Sequence, residues 1–110
     1  MANAYKVLAQ SAPSAATATD VYTVPAATET VISTVIIANR AATTGSFRLS
    51  VRPNGGTQTN AMYCAYDVPV AANDSTTLTL GITVDAADVI TVYCSSADMS
   101  INAFGAEVTV

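Results

Sequence analysis

The sequence predicts an all-β fold, a single antiparallel β-sandwich or jelly roll of about eight short strands. In residues 46–52 apolar and polar side chains alternate without a break, so Phe47 and Leu49 face one way while Arg48 and Ser50 face the other. A half-buried β-strand has this period of two. The alternation recurs at 77–80 and 89–93, and no stretch of comparable length has the 3.6-residue spacing of an amphipathic helix.

Turn-forming residues divide the chain into short segments that have the length and composition of strands. The predicted strands are residues 5–9, 20–24, 30–39, 46–52, 61–68, 75–82, 88–95 and 99–104, with a short tail strand at 107–110. Gly, Pro, Asn and Asp lie between most of them, and the run Pro-Asn-Gly-Gly at 53–56 ends the fourth strand. These residue types favour turns over continued strands.

The first strand is set apart from the rest of the chain. Residues 11–19 are small or polar and have no periodicity, so they form a predicted linker between residues 1–10 and a sandwich domain at 20–110. Residues 1–10 are then either an ordinary first strand or an exchange arm that pairs with the sheet edge of a neighbouring subunit. Tyr5 and Val7 are candidate interface residues in the second case.

The third strand is apolar on both faces after Ser33. Such a strand is covered on both sides, although a single sandwich covers only one. Either the outer side chain of Ile36 meets another subunit, or a local bulge shifts the alternation by one residue.

Composition favours an assembly protein. Charged residues are only 11% of the chain, against about 25% in typical domains, and such a surface favours permanent contacts, here in a homo-oligomer. The net charge of −4 with four basic residues argues against nucleic-acid binding and against docking on anionic membranes. The start of the chain lacks the pattern of a signal peptide, so we expect assembly in the cytoplasm.

The residues available for chemistry are few, since the chain has no His and no Trp. We predict no enzyme, no catalytic residue, no cofactor and no metal site. The alternation places Cys64 and Cys94 in the core as small apolar side chains, with a disulfide between them as the alternative. Aspartates at strand ends, such as Asp85 and Asp88, are expected to cap turns; a calcium site or a glycosidase pair is the less favoured interpretation.

Arg48 and Arg52 lie on the same face of one strand. Two guanidinium groups in this arrangement can bind carboxylates of a neighbouring subunit bidentately. The alternative is that both are exposed to solvent, with their stems covering apolar surface.

Several segments resemble a group of small virion proteins of tailed bacteriophages, including cyanophages. They are AYKVLAQSAP at 4–13, VYTVPA at 21–26, VRP at 51–53, AYDVP at 65–69 and TLTLGIT at 77–83. The resemblance covers nearly the whole chain, and it implies a non-enzymatic part of the virion but no site residues.

The expected function is that of a capsid decoration, or cement, protein that oligomerises on the phage head and stabilises it. Its partner is then the major capsid protein or another virion protein, and its location is the virion. The alternatives are a component of the tail or of the head–tail junction, or a carbohydrate- or receptor-binding module of a tail fibre. The five tyrosines are too dispersed in the sequence to indicate a sugar-binding face.

Overall fold

The computed structural model describes residues 3–110, whose strands pair into two four-stranded sheets. The strands are β1 (Asn3–Ser11), β2 (Thr19–Thr23), β3 (Thr28–Asn39), β4 (Gly45–Arg52), β5 (Tyr63–Val70), β6 (Ser75–Val84), β7 (Val89–Cys94) and β8 (Met99–Thr109). Short 3₁₀ turns at Pro53–Gly55 and Asn60–Met62 lie between β4 and β5. The predicted all-β sandwich of eight strands is confirmed. Within residues 3–110, no helix is long and apolar enough to cross a membrane.

Sheet A has the strand order β1-β8-β3-β6, and sheet B has the order β2-β7-β4-β5. Every pairing between these strands is antiparallel. The pairs β1·β8, β2·β7, β3·β6 and β4·β5 form one long double-stranded ribbon that bends at the β4–β5 connection. Rolled into two sheets, this ribbon is a jelly roll.

The core lies between the inner faces of the two sheets. Its largest fully buried side chains include Phe47 and Leu49 of sheet B and Ile32, Ile37 and Ile101 of sheet A. Every buried side-chain nitrogen or oxygen within residues 3–110 has a hydrogen-bond partner. The core is small, but no unpaired buried polar group destabilises it within these residues.

A line of bulges crosses sheet A. The register shifts at Leu8 in β1, at Ser33 in β3, and in β6 at Gly81, which has a φ of +60°. In β3 the shift moves the buried side chains from positions 28, 30 and 32 to positions 35, 37 and 39. The bulge predicted as one explanation of the apolar third strand is thus present. Ile36 still faces outward and is half-buried.

Residues 3–11 form a strand of their own chain's sheet, because β1 pairs with β8 from Asn3 to Ser11. Residues 1 and 2 of the predicted arm lie outside the described residues. The predicted linker is a loop of residues 12–18, and the bridge from Ala15 to Cys94 ties it to sheet B. Pairing with a neighbouring subunit stays a prediction.

The predicted break between a last strand at 99–104 and a tail strand at 107–110 is wrong, because β8 runs through Gly105 to Thr109. Gly105 pairs with Ile32 beside the β3 bulge. A Cβ atom at this position would overlap the carbonyl oxygen of Val31. Glycine serves here to let two backbones approach closely, and not to form a turn.

Candidate interaction surfaces

Exposed apolar side chains gather on the outer side of sheet A, near the start of β1. Tyr5 is 84% exposed, Val7 49% and Val31 40%. The strand register places Tyr5, Ala106 and Val31 side by side across β1, β8 and β3. This apolar face, defined by Tyr5, Val7, Val31, Phe104, Ala106 and Val108, contains a shallow depression of about 620 Å³. All of these residues except Val7 line it, together with Asn3, Lys6, Ser33 and Gly105. Bulges bend strands and increase their twist, which accounts for the curved surface.

The other side of the same strands carries a polar cluster. The Lys6 ammonium lies 2.7 Å from a carboxylate oxygen of Glu107, whose side chain is only 13% exposed. The Tyr22 hydroxyl of sheet B donates to the second oxygen of Glu107 at 2.5 Å. Because that proton is used, the Thr30 hydroxyl donates to Tyr22 at 2.8 Å. The cluster joins the two sheets at the end of the sandwich where β1 begins.

The cluster shifts the pKa values of two of its members. The hydrogen bonds from Lys6 and Tyr22 favour the charged form of Glu107 and hold its pKa below the usual range. Burial raises the pKa of Tyr22 to about 12, and the hydrogen bond to Glu107 acts in the same direction. Tyr22 therefore stays protonated and Glu107 stays charged at neutral pH.

Arg48 lies on the outer side of sheet B between two tyrosine rings. The guanidinium carbon is 4.2 Å from the centroid of Tyr66 and 4.4 Å from that of Tyr93. Tyr63 meets Tyr66 edge to face at 4.9 Å between centroids. Arg48 also donates to Asp67 at 2.7 Å. We call Tyr63, Tyr66, Tyr93 and Arg48 the tyrosine–arginine cluster. Within one chain, its aromatic rings already hold the Arg48 guanidinium, and Arg48 already binds the Asp67 carboxylate.

Arg52 shares the outer face with Arg48, as the alternation predicts. Its guanidinium binds both oxygens of Asp20 at 2.9 and 3.0 Å. It also donates to the carbonyls of Gly55 and Gly56, at 3.0 and 2.8 Å. Arg52 therefore anchors the turn after β4 to β2, and both arginines are paired within the chain.

The predicted interface residues do not form one surface. Tyr5 and Val7 belong to the apolar face, and Ile36 faces outward further along sheet A, beside Asn102 and Thr77. Arg48 and Arg52 lie on sheet B, on the opposite side of the molecule.

The prediction that both cysteines lie in the core is wrong for Cys64. Cys94 is fully buried, whereas Cys64 is exposed, and both are free thiols. The reason is that β5 is irregular against β4 at two places: a bulge at Asp67, which has a φ of 50°, and a second register shift at Cys64 itself. Because Phe47 pairs with Val68 and Leu49 pairs with Ala65, the inward positions change parity across the bulge. Burial raises the pKa of Cys94 to about 11. The exposed Cys64 thiol is partly desolvated by its neighbours, which also raises its pKa.

Asp74, Asp85 and Asp88 cap turns as predicted, whereas Asp67 instead accepts from Arg48. Asp88 accepts hydrogen bonds from the backbone amides of Asn54 and Asp85, each at 2.9 Å. Asp74 accepts one from the amide of Ser75 at 2.8 Å. Among residues 3–110, no three His, Cys, Asp or Glu side chains are grouped closely enough to hold a metal ion.

Sequence reasoning missed two clusters. Tyr22 and Glu107 are 85 positions apart, and the tyrosines around Arg48 come from β5 and β7. The signal for the second was the alternation of β4 and β7, which places Arg48 and Tyr93 on one face.

In comparisons with known proteins, no protein-family model matches this chain and no curated protein matches it significantly.

Proposed function

We propose that this chain is a non-enzymatic structural protein of a phage virion, a decoration protein that binds the outside of the capsid as an oligomer and stabilises it. The observation that supports this most is the apolar face of sheet A. It places Tyr5, Val7 and Val31 in solvent, in a chain with only 12 charged residues, 4 basic and 8 acidic. Exposed apolar patches of this kind mark sites of protein contact.

The physical logic is linkage. A protein that binds only the assembled lattice stabilises it by mass action, and many copies multiply a modest contact into a large total. The jelly-roll fold is compatible with this role, since it occurs in viral capsid domains as well as in lectins. Fold alone does not assign function, so the proposal depends on the surface and on the resemblance to small virion proteins.

Because Arg48 and Arg52 are occupied by Asp67 and Asp20, the contact to the shell is mainly apolar in this proposal. Binding should then weaken only modestly between low and physiological salt. The shell would be built of the major capsid protein, and assembly would take place in the host cytoplasm.

The test is binding of the purified protein to capsids that lack it. We expect saturable, symmetry-matched binding and greater resistance of the capsids to heat. Val31→Lys should abolish binding, because it puts a charge into the depression of the apolar face. Asn60→Lys, at an exposed turn next to sheet B, is the matched control and should bind normally. Capsids whose stability is indifferent to the protein would contradict the proposal.

A second candidate is a carbohydrate- or receptor-binding module of a tail fibre. It is favoured by the tyrosine–arginine cluster, in which Tyr66 is 55% exposed. It ranks second because Arg48 already covers one face of Tyr66 and one face of Tyr93, and sugars stack on such faces. Copy number separates the two: hundreds per particle indicate the shell, whereas a few indicate the tail or the head–tail junction.

A further inference from the structure

The first half of β1 is the part of the sandwich with the least support from its own chain. Residues 3–7 are exposed without exception, including the side chains on the inner side. Among residues 3–110, they pair on one side only, with β8. The unpaired backbone N–H and C=O groups along the other edge can form hydrogen bonds with a further strand.

The other three edge strands carry features that oppose pairing. β5 contains Pro69 and the bulge at Asp67, β2 is five residues long with an irregular register, and β6 is interrupted at Gly81. Residues 3–7 have no proline and no register shift. Their one charge, on Lys6, is neutralised by Glu107 at 2.7 Å. This edge is therefore the least protected against strand addition.

The first half of β6, residues 75–79, is also regular, but its exposed side chains are Ser and Thr. These side chains are well hydrated and gain little from being covered. Tyr5 and Val7 on β1 are apolar and lie in solvent, so a neighbouring strand that covers their edge-facing sides is favourable, while their outward sides stay exposed.

We propose that β1 pairs antiparallel with β1 of a second copy of this chain, about a two-fold axis beside Tyr5. Tyr5 is the middle of the five regular residues before the bulge at Leu8. In this register Tyr5 lies opposite the partner's Tyr5, and Asn3 opposite the partner's Val7. The two copies of sheet A join into one eight-stranded sheet by an isologous contact.

Charge complementarity supports this register. Within one chain, Ala4 pairs with Glu107 of β8. The two-fold pairing places the partner's Lys6 opposite Ala4, on the face that carries Glu107. Each Lys6 keeps its own Glu107 at 2.7 Å, and the partner's Glu107 lies on the same face, two strands away. The next register, centred on Lys6, puts two ammonium groups directly opposite each other, which is unfavourable.

A dimer of this kind presents two apolar faces, side by side, to the shell. Only this consequence of the pairing rests on the proposed decoration role. The pairing itself is a property of the purified protein. It is therefore measured without capsids, and its failure is distinguishable from a failure of shell binding.

The test is cross-linking in a Cys64→Ser background, since Cys64 is the exposed thiol and Cys94 is buried. Directly opposite residues have Cα atoms about 4.5–5.5 Å apart, which is within disulfide range. Tyr5→Cys should therefore give a covalent dimer on mild oxidation. Asn3→Cys should not, because the two equivalent positions are about 14 Å apart along the strands. Mixing Asn3→Cys with Val7→Cys protein should restore cross-linking.

A second variant measures the non-covalent contact. Tyr5→Lys places two like charges opposite each other on the axis and should weaken self-association roughly tenfold or more in sedimentation equilibrium. Tyr5→Thr should retain it, and melting curves should show that both variants fold. A monomeric wild type overturns the proposal. So does equal cross-linking at positions 3 and 5, or cross-linking by Thr77→Cys on β6 in place of Tyr5→Cys.

Discussion

Glu107→Gln removes a negative charge while keeping the shape of the side chain that joins β8 to Lys6 and Tyr22. The carboxylate accepts from Lys6 at 2.7 Å and from Tyr22 at 2.5 Å. Gln still offers one oxygen, so a neutral hydrogen bond survives. What is lost is the charge-assisted part of two interactions.

The size of this loss follows from the exposure of each partner. A hydrogen bond to a charged group contributes about 1.5–3 kcal/mol and a neutral one about 1 kcal/mol. The Lys6 side chain is 49% exposed, so its ion pair adds only about 0.2–1 kcal/mol. We expect Glu107→Gln to lower the free energy of unfolding by about 1–2 kcal/mol at neutral pH. For a chain of this length, that lowers the Tm by about 4–8 °C.

The effect depends on pH with a definite sign. The pKa of Glu107 is lowered in the folded protein, so its stabilisation is complete above the ordinary value of 4.5 and is lost as the pH falls through the folded pKa. The difference between wild type and Glu107→Gln should therefore shrink as the pH falls below 4.5. Urea unfolding at several pH values measures it.

The matched control is Glu29→Gln, which changes the net charge equally at an exposed side chain that has no partner among residues 3–110. It should leave stability unchanged. If Glu107→Gln matches this control at neutral pH, or if its cost is the same in acid, Glu107 does not stabilise the fold through its charge.

The remaining predictions concern the two cysteines and two of the glycines. In the native protein a thiol reagent should react at Cys64 only, and after unfolding it should react at Cys94 as well. Because both thiols are free, reductant should leave the Tm unchanged, and a large drop in the Tm would reveal a disulfide. Cys94→Ala should cost about 1 kcal/mol, and Cys64→Ala almost nothing. Gly105→Ala should cost about 2 kcal/mol or more because its Cβ would overlap the backbone of Val31. Gly81→Ala should cost only about 1 kcal/mol, since its φ is positive but the surrounding space is open; chemical denaturation compares the two glycine variants, and equal costs would show that the close approach is unimportant.

Where a strand is regular, the alternation of apolar and polar residues predicted correctly which side chains face the core. In β4, Phe47 and Leu49 are buried and Arg48 and Arg52 face outward, as the pattern requires. Ser50, between the two arginines, is buried as well, and its hydroxyl donates to Gln58. The alternation failed where a residue is inserted, as in β5, where the register shifts at Asp67 and Cys64 leave Cys64 exposed. A bulge depends on how two strands pair, and a single strand's sequence does not contain that information.

The interface residues divide in the same way. The sequence indicates Tyr5 and Val7 as candidate interface residues because they precede a segment without periodicity, and both side chains are exposed. The pairing of Arg48 with Asp67 was not predictable, because 19 residues separate them and only the β4–β5 register brings them together. The tyrosines that surround Arg48 are dispersed in the sequence, and only the pairing of β4 with β5 and β7 brings them to one surface.

The sequence by itself determined the all-β class, the number of strands, most turns and the small number of groups able to do chemistry. These follow from local rules: side-chain period, turn residues and composition. Only the tertiary structure decided which edge is unprotected, which arginines are already paired, and how Glu107, Tyr22 and Lys6 meet. Each of these depends on strands far apart in the chain, whose neighbours are set by burying one common core and not by any local preference.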